Sequence, residues 1–186
     1  MSQNSFKVLF LYPNERHVSI VPPSIAILSA ILKREKITVD LFDTSLYPTK
    51  GLDSDEIREK NLSVRTVKSL DKVQLKHTDK FTDFFEKVAS FKPDMIAATV
   101  TDSTILLAIK LLKIVKEFNH LTVLGGPFAG FAPEKAINYQ EVDVICLGEG
   151  ETAFLSLCQN LRDKEDISKI AGLWIKKQEG EITKNP

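Results

Sequence analysis

The chain of 186 residues carries 25 basic and 25 acidic side chains, so its formal net charge is zero, and 43% of it is hydrophobic. Such a composition is ordinary for a soluble globular domain, and the length suits one domain with a single core. The balance excludes three classes: there is no basic excess to meet a phosphate backbone, no apolar run of the ~18–20 residues that span a bilayer, and no leader-like pattern in MSQNSFKVLF, so no nucleic acid, no membrane and a cytoplasmic location are expected. Two cysteines, Cys146 and Cys158, make neither a disulfide framework nor a metal cluster.

Residues 6–12 (FKVLFLY) are nearly all apolar, as a strand covered on both faces must be. Pro22-Pro23 opens a segment with Ile25, Leu28, Ile31 and Leu32 at helical spacing, and proline is tolerated at a helix start, where early amides lack intrahelical acceptors. Residues 37–42 (ITVDLF) read as a second strand. Residues 49–80 then break the rhythm: they hold 14 charged residues and no aromatic one, so they can bury little. This charged insertion predicts one or two surface helices, because a structureless linker of that length is unusual inside a domain. Residues 79–91 read as the crossover helix, with Phe81, Phe84, Phe85 and Val88 toward the sheet.

Lys92-Pro93-Asp94 leads into a third strand, MIAATV, followed by Ile105, Ile109, Leu112 and Val115 on one helical face. Residues 121–124 form a short fourth strand that stops at Gly125-Gly126; 132–139 read as a short helix and 142–147 as a fifth strand. Phe154, Leu157, Cys158 and Leu161 mark the inner face of a last helix, and GLWIKKQEGEI within 170–182 reads as a hairpin-like tail around Glu179-Gly180. Strands alternating with helices imply parallel crossovers. The fold class is therefore α/β: a doubly wound, Rossmann-like sheet of five parallel strands in the flavodoxin-like order 2-1-3-4-5, with a β tail, over one domain at 1–186.

In such a sheet ligands bind outside the carboxyl ends of the strands, where the strand order reverses. The loops there are 13–23 (PNERHVSIVPP), 99–104 (TVTDST), 125–130 (GGPFAG) and 148–151 (GEGE), with the loop at 43–48 off to one side. A glycine pair at a strand end permits positive φ and close ligand approach, though a plain tight turn would use the same residues. Amides of GEGE, opening the last helix, can receive a polar group; Glu149 and Glu151 can equally serve the helix dipole. In TVTDST the hydroxyls and Asp102 can meet ligand heteroatoms, while one of Thr101, Asp102 or Ser103 caps the next helix. His17, near Glu15, is either a metal ligand tuned by its neighbour or an exposed loop residue. No GxxxxGK[ST] stretch exists and no GxGxxG follows the first strand; the acids and lysine of a receiver domain and the threonine-rich phosphate loop of flavodoxins are also missing.

In order, KVLFLYP (7–13), PPSIAILSAILKRE (22–35), VDLFD (39–43), KPDMIAATV (92–100), LTVLGGPFAG (121–130), EVDVICLGEGETAFLSL (141–157) and IAGLWIKKQEGEI (170–182) resemble the amino-terminal cobalamin-binding domain of cobalamin-dependent radical S-adenosylmethionine enzymes. The resemblance implies a corrin ring across the carboxyl edge of the sheet and a dimethylbenzimidazole tail drawn into the crevice. Gly125, Gly126 and Pro127 would line the tail channel, and Thr99, Thr101 and Ser103 would hydrogen-bond in it. Gly148, Glu149, Gly150 and Glu151 would close the other side, with Phe128 packing on the ring or tail; Pro13, His17 and Asp102 complete the candidate set.

Two departures modify what the resemblance implies. Related domains ligate cobalt through D-x-H-x-x-G, whereas here Glu15-Arg16-His17-Val18-Ser19-Ile20 replaces the aspartate and the glycine. The radical enzymes commonly lack that histidine, so the tail is expected to be displaced from cobalt, with His17 no dependable axial ligand and no metal site assigned. The C-x-x-x-C-x-x-C motif that holds an iron–sulfur cluster is also absent. The chain is accordingly expected to be a cobalamin-binding module that catalyses nothing alone. Residues 170–186 would lead toward a catalytic domain that carries the 4Fe-4S cluster and S-adenosylmethionine. The alternative is a degenerate regulatory or interaction module that has lost its cofactor; a small-molecule enzyme using Glu149 and Asp102 is weaker still, since no nucleophile converges on them.

Overall fold

In the computed structural model, which describes residues 6–14, 22–48, 60–61, 76–177 and 180–186, one sheet organises the chain. Strand β1 (Lys7–Tyr12) lies second from one edge, between β2 and β3, and its four central residues are buried. Helix α1 (Pro23–Arg34) returns the chain to β2 (Thr38–Asp43), and α2 (Lys80–Phe91) carries it across to β3 (Met95–Thr99) on the other side of β1. Then come α3 (Ile105–Ile114), β4 (Leu121–Gly125), the short helices α4 (Pro127–Phe131) and α5 (Pro133–Asn138), β5 (Val144–Cys146) and α6 (Glu151–Asp163). The expected parallel order 2-1-3-4-5 is present. The tail joins the same sheet: β6 (Leu173–Lys176) pairs antiparallel with β5, and β7 (Ile182–Lys184) with β6, giving seven strands rather than five plus an appendage.

Two apolar layers follow from the alternation of side chains along each strand. Leu9, Leu11, Ile96, Ala98, Leu124 and Ile145 face α2, α3, α4 and α5. Val8, Phe10, Met95, Ala97, Val123, Val144 and Cys146 face α1 and α6, which contribute Ile25, Leu32, Phe154, Leu157 and Cys158. Asp79 starts α2 by accepting the amides of Phe81 and Thr82 at 3.1 and 2.9 Å. Phe84 and Val88 of that helix are buried as expected and Phe81 packs at the margin, but Phe85 is 45% exposed and meets the edge of Phe118 instead of the sheet. The surface helices expected in 49–80 lie almost wholly outside the described residues, as does Glu179 in the tail turn. Where the charged insertion rejoins the fold, the Lys76 amide donates to the Leu46 carbonyl, and its ammonium donates to the Tyr47 hydroxyl, 2.8 Å away. Among the described residues no helix is long and apolar enough to cross a membrane.

Candidate functional site

Parallel strands place their carboxyl ends together, and there a slot of about 200 Å³ opens between α1 and α6. Small residues create it. Ala97 on β3 and Gly125 on β4 stand where larger side chains would fill the layer, and Thr99, Val123 and Cys146 complete the strand wall. Phe10 and Phe154 close one end of the lining with rings 5.8 Å apart, while Ser24, Ile25 and Leu28 of α1 form the facing side. Gly126, Gly148, Glu149 and Gly150 rim the opening.

Of the two adjacent glycines, Gly126 is the constrained one. Its φ is +89°, and a Cβ there would lie 2.6 Å from Thr99 Oγ1 and 2.9 Å from the Val100 nitrogen. A Cβ on Gly125 would meet only the Cys146 carbonyl oxygen, at 3.8 Å. Pro127 follows at the first position of α4, whose start lies against β3 because the Phe128 amide donates to the Val100 carbonyl. From the sequence GGPFAG reads as loop, and the helix is an addition to that expectation; proline after a glycine pair is its available signal.

The candidate residues divide by position. Thr99, Gly125, Gly126, Gly148, Glu149 and Gly150 come together at the slot. Thr101, Asp102 and Ser103 are exposed beyond the end of β3 and outside its lining. None of them caps α3: Thr104 is the boundary residue and makes no side-chain cap, its hydroxyl accepts the Thr101 amide at 3.0 Å, and the Thr101 carbonyl accepts the Thr104 and Ile105 amides. The expected cap at 101–103 is corrected accordingly. Phe128 packs on the opposite apolar layer, with α2 and α3, rather than in the slot. Glu151 lies in the first turn of α6, suited to the helix dipole, and that helix has no side-chain cap. Pro13 is buried and outside the slot, and His17 lies outside the described residues.

The loop at 43–48 follows the edge strand β2 and lies off to one side, outside the slot lining, yet it is tied firmly to the first loop. Asn14, Thr44 and Ser45 are buried together: the Asn14 amide donates to Thr44 Oγ1 at 2.7 Å, Thr44 Oγ1 donates to the Asn14 carbonyl at 2.6 Å, and Asn14 Nδ2 donates to Ser45 Oγ at 3.0 Å. This network ties the chain leaving β1 to the turn after β2. Sequence reasoning passed over it because short polar residues at a strand end read as ordinary turn chemistry.

Burial pushes the Cys146 thiol up to about 11, with the Glu151 charge adding to it, and burial pushes Cys158 up to about 12. Both remain protonated at neutral pH and behave as small apolar groups. No group of three or more His, Cys, Asp or Glu among the described residues is placed to hold a metal ion. A broader groove of about 700 Å³ runs along the outer side of α6, lined by Glu149, Glu151, Ser156, Asn160, Gly172 and Pro186. It lacks the apolar strand wall that gives the slot its shape.

A doubly wound sheet with a small-residue slot at its carboxyl edge defines the class of α/β cofactor-binding domains. Residues 15–157 match the B12 binding domain model, and the chain belongs to that family. It is 31% identical over 109 residues to an uncharacterized methyltransferase of Pyrococcus horikoshii, covering 57% of this chain and 24% of the relative. To the anaerobic magnesium-protoporphyrin IX monomethyl ester cyclase of Rubrivivax gelatinosus it is 26% identical over 192 residues, covering 97% of this chain and 29% of the cyclase. The chain thus spans less than a third of the length of either curated relative.

Solved structures share the fold, two of them as follows. The radical S-adenosylmethionine methyltransferase TsrM from Kitasatospora setae, with tryptophan substrate and a SAM analog bound, superposes with a TM-score of 0.73 at 19% identity, over 98% of this chain and 30% of TsrM. The cobalamin-dependent S-adenosylmethionine radical enzyme OxsB, with aqua-cobalamin and S-adenosylmethionine bound, gives 0.65 at 18% identity, over 98% of this chain and 22% of OxsB.

Proposed function

We propose that this chain is the cobalamin-binding module of a radical S-adenosylmethionine enzyme, taking the nucleotide tail of cobalamin into the slot between α1 and α6. The observation that carries the reading is the slot itself, in a chain of the B12-binding family. Its volume fits only a fragment, being smaller than the roughly 300–1,000 Å³ of pockets that enclose whole ligands. A flat aromatic base suits it: the walls are apolar, and Ala97 and Gly125 leave the width that a side chain would otherwise take. The macrocycle would rest outside, across the strand ends.

Within this reading Thr99, Ser24 and Glu149 are the polar side chains at the rim, and the glycines at 125, 148 and 150 let a ligand approach the backbone. Thr101, Asp102 and Ser103 stand far enough forward to meet the outer part of the cofactor. Cobalamin, when bound, supplies a cobalt centre for methyl transfer or for support of radical chemistry; the protein supplies position and excludes water. The chain's two cysteines cannot furnish a C-x-x-x-C-x-x-C cluster site, so the 4Fe-4S cluster and S-adenosylmethionine belong to a partner radical domain, on the same polypeptide or another, and this module is not catalytic alone.

Mixing the purified protein with hydroxocobalamin, desalting it and recording the visible spectrum tests the reading. Stoichiometric retention of corrinoid is the expected result, and Gly125→Val, which the backbone accommodates, should abolish retention with the circular dichroism spectrum unchanged. Folded wild-type protein that leaves the column colourless would sink the assignment and favour a module that has lost its cofactor.

A further inference from the structure

Strand register arranges the slot's wall in two rows. In the deeper row, Phe10 pairs with Ala97 across β1 and β3, and Ala97 with Val123 across β3 and β4. Two residues nearer the strand ends, about 7 Å higher, Thr99 pairs with Gly125. The deep row presents only carbon: a benzyl ring, a methyl and an isopropyl group. Leu28 and Phe154 add further carbon from the helices. The polar side chains of the lining are all higher, with Thr99 ending β3, Ser24 in the first turn of α1 and Glu149 in the loop after β5.

We propose that this layering selects among corrinoids by the base at the end of their tail, accepting an alkylated benzimidazole and disfavouring a purine. The proposal rests on the cofactor reading above and deepens it. The outer ring and methyl groups of dimethylbenzimidazole ask for nothing but apolar contact. Adenine carries an exocyclic amine and additional ring nitrogens, and against the deep row these lose their water without gaining a partner. One unpaired buried group of that kind weakens binding by about tenfold or more.

Equilibrium dialysis of the full chain against three corrinoids tests this by binding alone: hydroxocobalamin, its analogue with adenine as the base, and cobinamide, which has no base. Hydroxocobalamin should bind at least about tenfold more tightly than the adenine form. In Ala97→Ser, whose hydroxyl gives the deep row a hydrogen-bonding group, that ratio should shrink. Equal affinity for the two based corrinoids, with cobinamide weaker, overturns base selection while leaving the cofactor reading intact. Cobinamide binding as tightly as hydroxocobalamin overturns it as well, because the base then takes no part. An unchanged ratio in folded Ala97→Ser removes the deep row as the cause, and if that variant does not fold the wild-type ratio decides. Failure of all three corrinoids to bind overturns the cofactor reading itself.

Discussion

At Gly126 the backbone has φ of +89°, and a side chain would strike Thr99 and Val100, whereas a Cβ on Gly125 next to it would make only ordinary contact with the Cys146 carbonyl oxygen. Gly126→Ala is therefore expected to destabilise the fold by about 1–3 kcal/mol. Gly125→Ala should be neutral or mildly stabilising, by about 0.5 kcal/mol, through the entropy of the unfolded chain. Urea unfolding of the two variants measures the difference, and equal effects would show that backbone strain at Gly126 is unimportant. A bulky substitution at Gly126 consequently reports on folding, and Gly125 is the position that reports on the slot. The sequence marks the glycine pair as special; only the dihedral angles and neighbouring atoms say which glycine serves the backbone and which leaves room. The buried group of Asn14, Thr44 and Ser45 was illegible for a related reason, since its members lie about thirty positions apart and meet only through the pairing of β1 with β2.

Among the elements, α2 shows how far periodicity reaches. Phe81, Phe84, Phe85 and Val88 satisfy the i, i+3, i+4, i+7 spacing of one apolar stripe, yet that stripe is about 100° wide, and here its centre is turned so that Phe84 meets the sheet and Phe85 falls at the margin. Phe84 is fully buried with its ring 4.9 Å from that of Phe42, while Phe85 reaches sideways to Phe118. Phe84→Ala should cost about 3–5 kcal/mol in a denaturant titration. Phe85→Ala should cost under about 1 kcal/mol, because much of that ring already faces water. A comparable loss from both would mean that α2 packs with a different face inward. Parallel strands and amphipathic helices were legible because burial imposes their patterns. Helix α4, at five residues, is too short for any pattern to show.

For the whole molecule, acid stability depends on the base of the sheet, opposite the slot. His120 Nδ1 is buried there with no hydrogen-bond partner among the described residues. Burial lowers its pKa below the ordinary 6.5, against the opposing pull of Asp143 and a backbone hydrogen bond with Phe118. The unfolded chain binds that proton more readily than the folded one, so stability is full above the ordinary value and declines as pH falls through it toward the folded value. Asp83, Asp163 and Asp166, whose pKa values are lowered from 3.8, contribute stability that is lost only at still lower pH. Unfolding free energies from about pH 7 to about pH 5 should therefore decline less steeply in His120→Gln than in wild type. Identical slopes would remove His120 as the cause. The global topology was readable because alternating elements leave few options, of which the flavodoxin-like order 2-1-3-4-5 is one. Incorporation of the tail into the main sheet was not, since a hairpin pattern identifies its two strands without naming the third they will join.

That incorporation also decides which strand borders the sheet. Were the sheet to stop at β5, a strand of three buried apolar residues would offer its unpaired amides and carbonyls to any neighbouring chain. The added ribbon makes Ile182–Lys184 the last strand of the sheet among the described residues, three residues long, with a lysine whose ammonium lies 4.0 Å above the Trp174 ring. The opposite margin, Thr38–Asp43, carries Asp40 paired with Lys87. A three-residue border at β7 and a charged pair on the six-residue β2 are poor templates for edge-to-edge strand pairing.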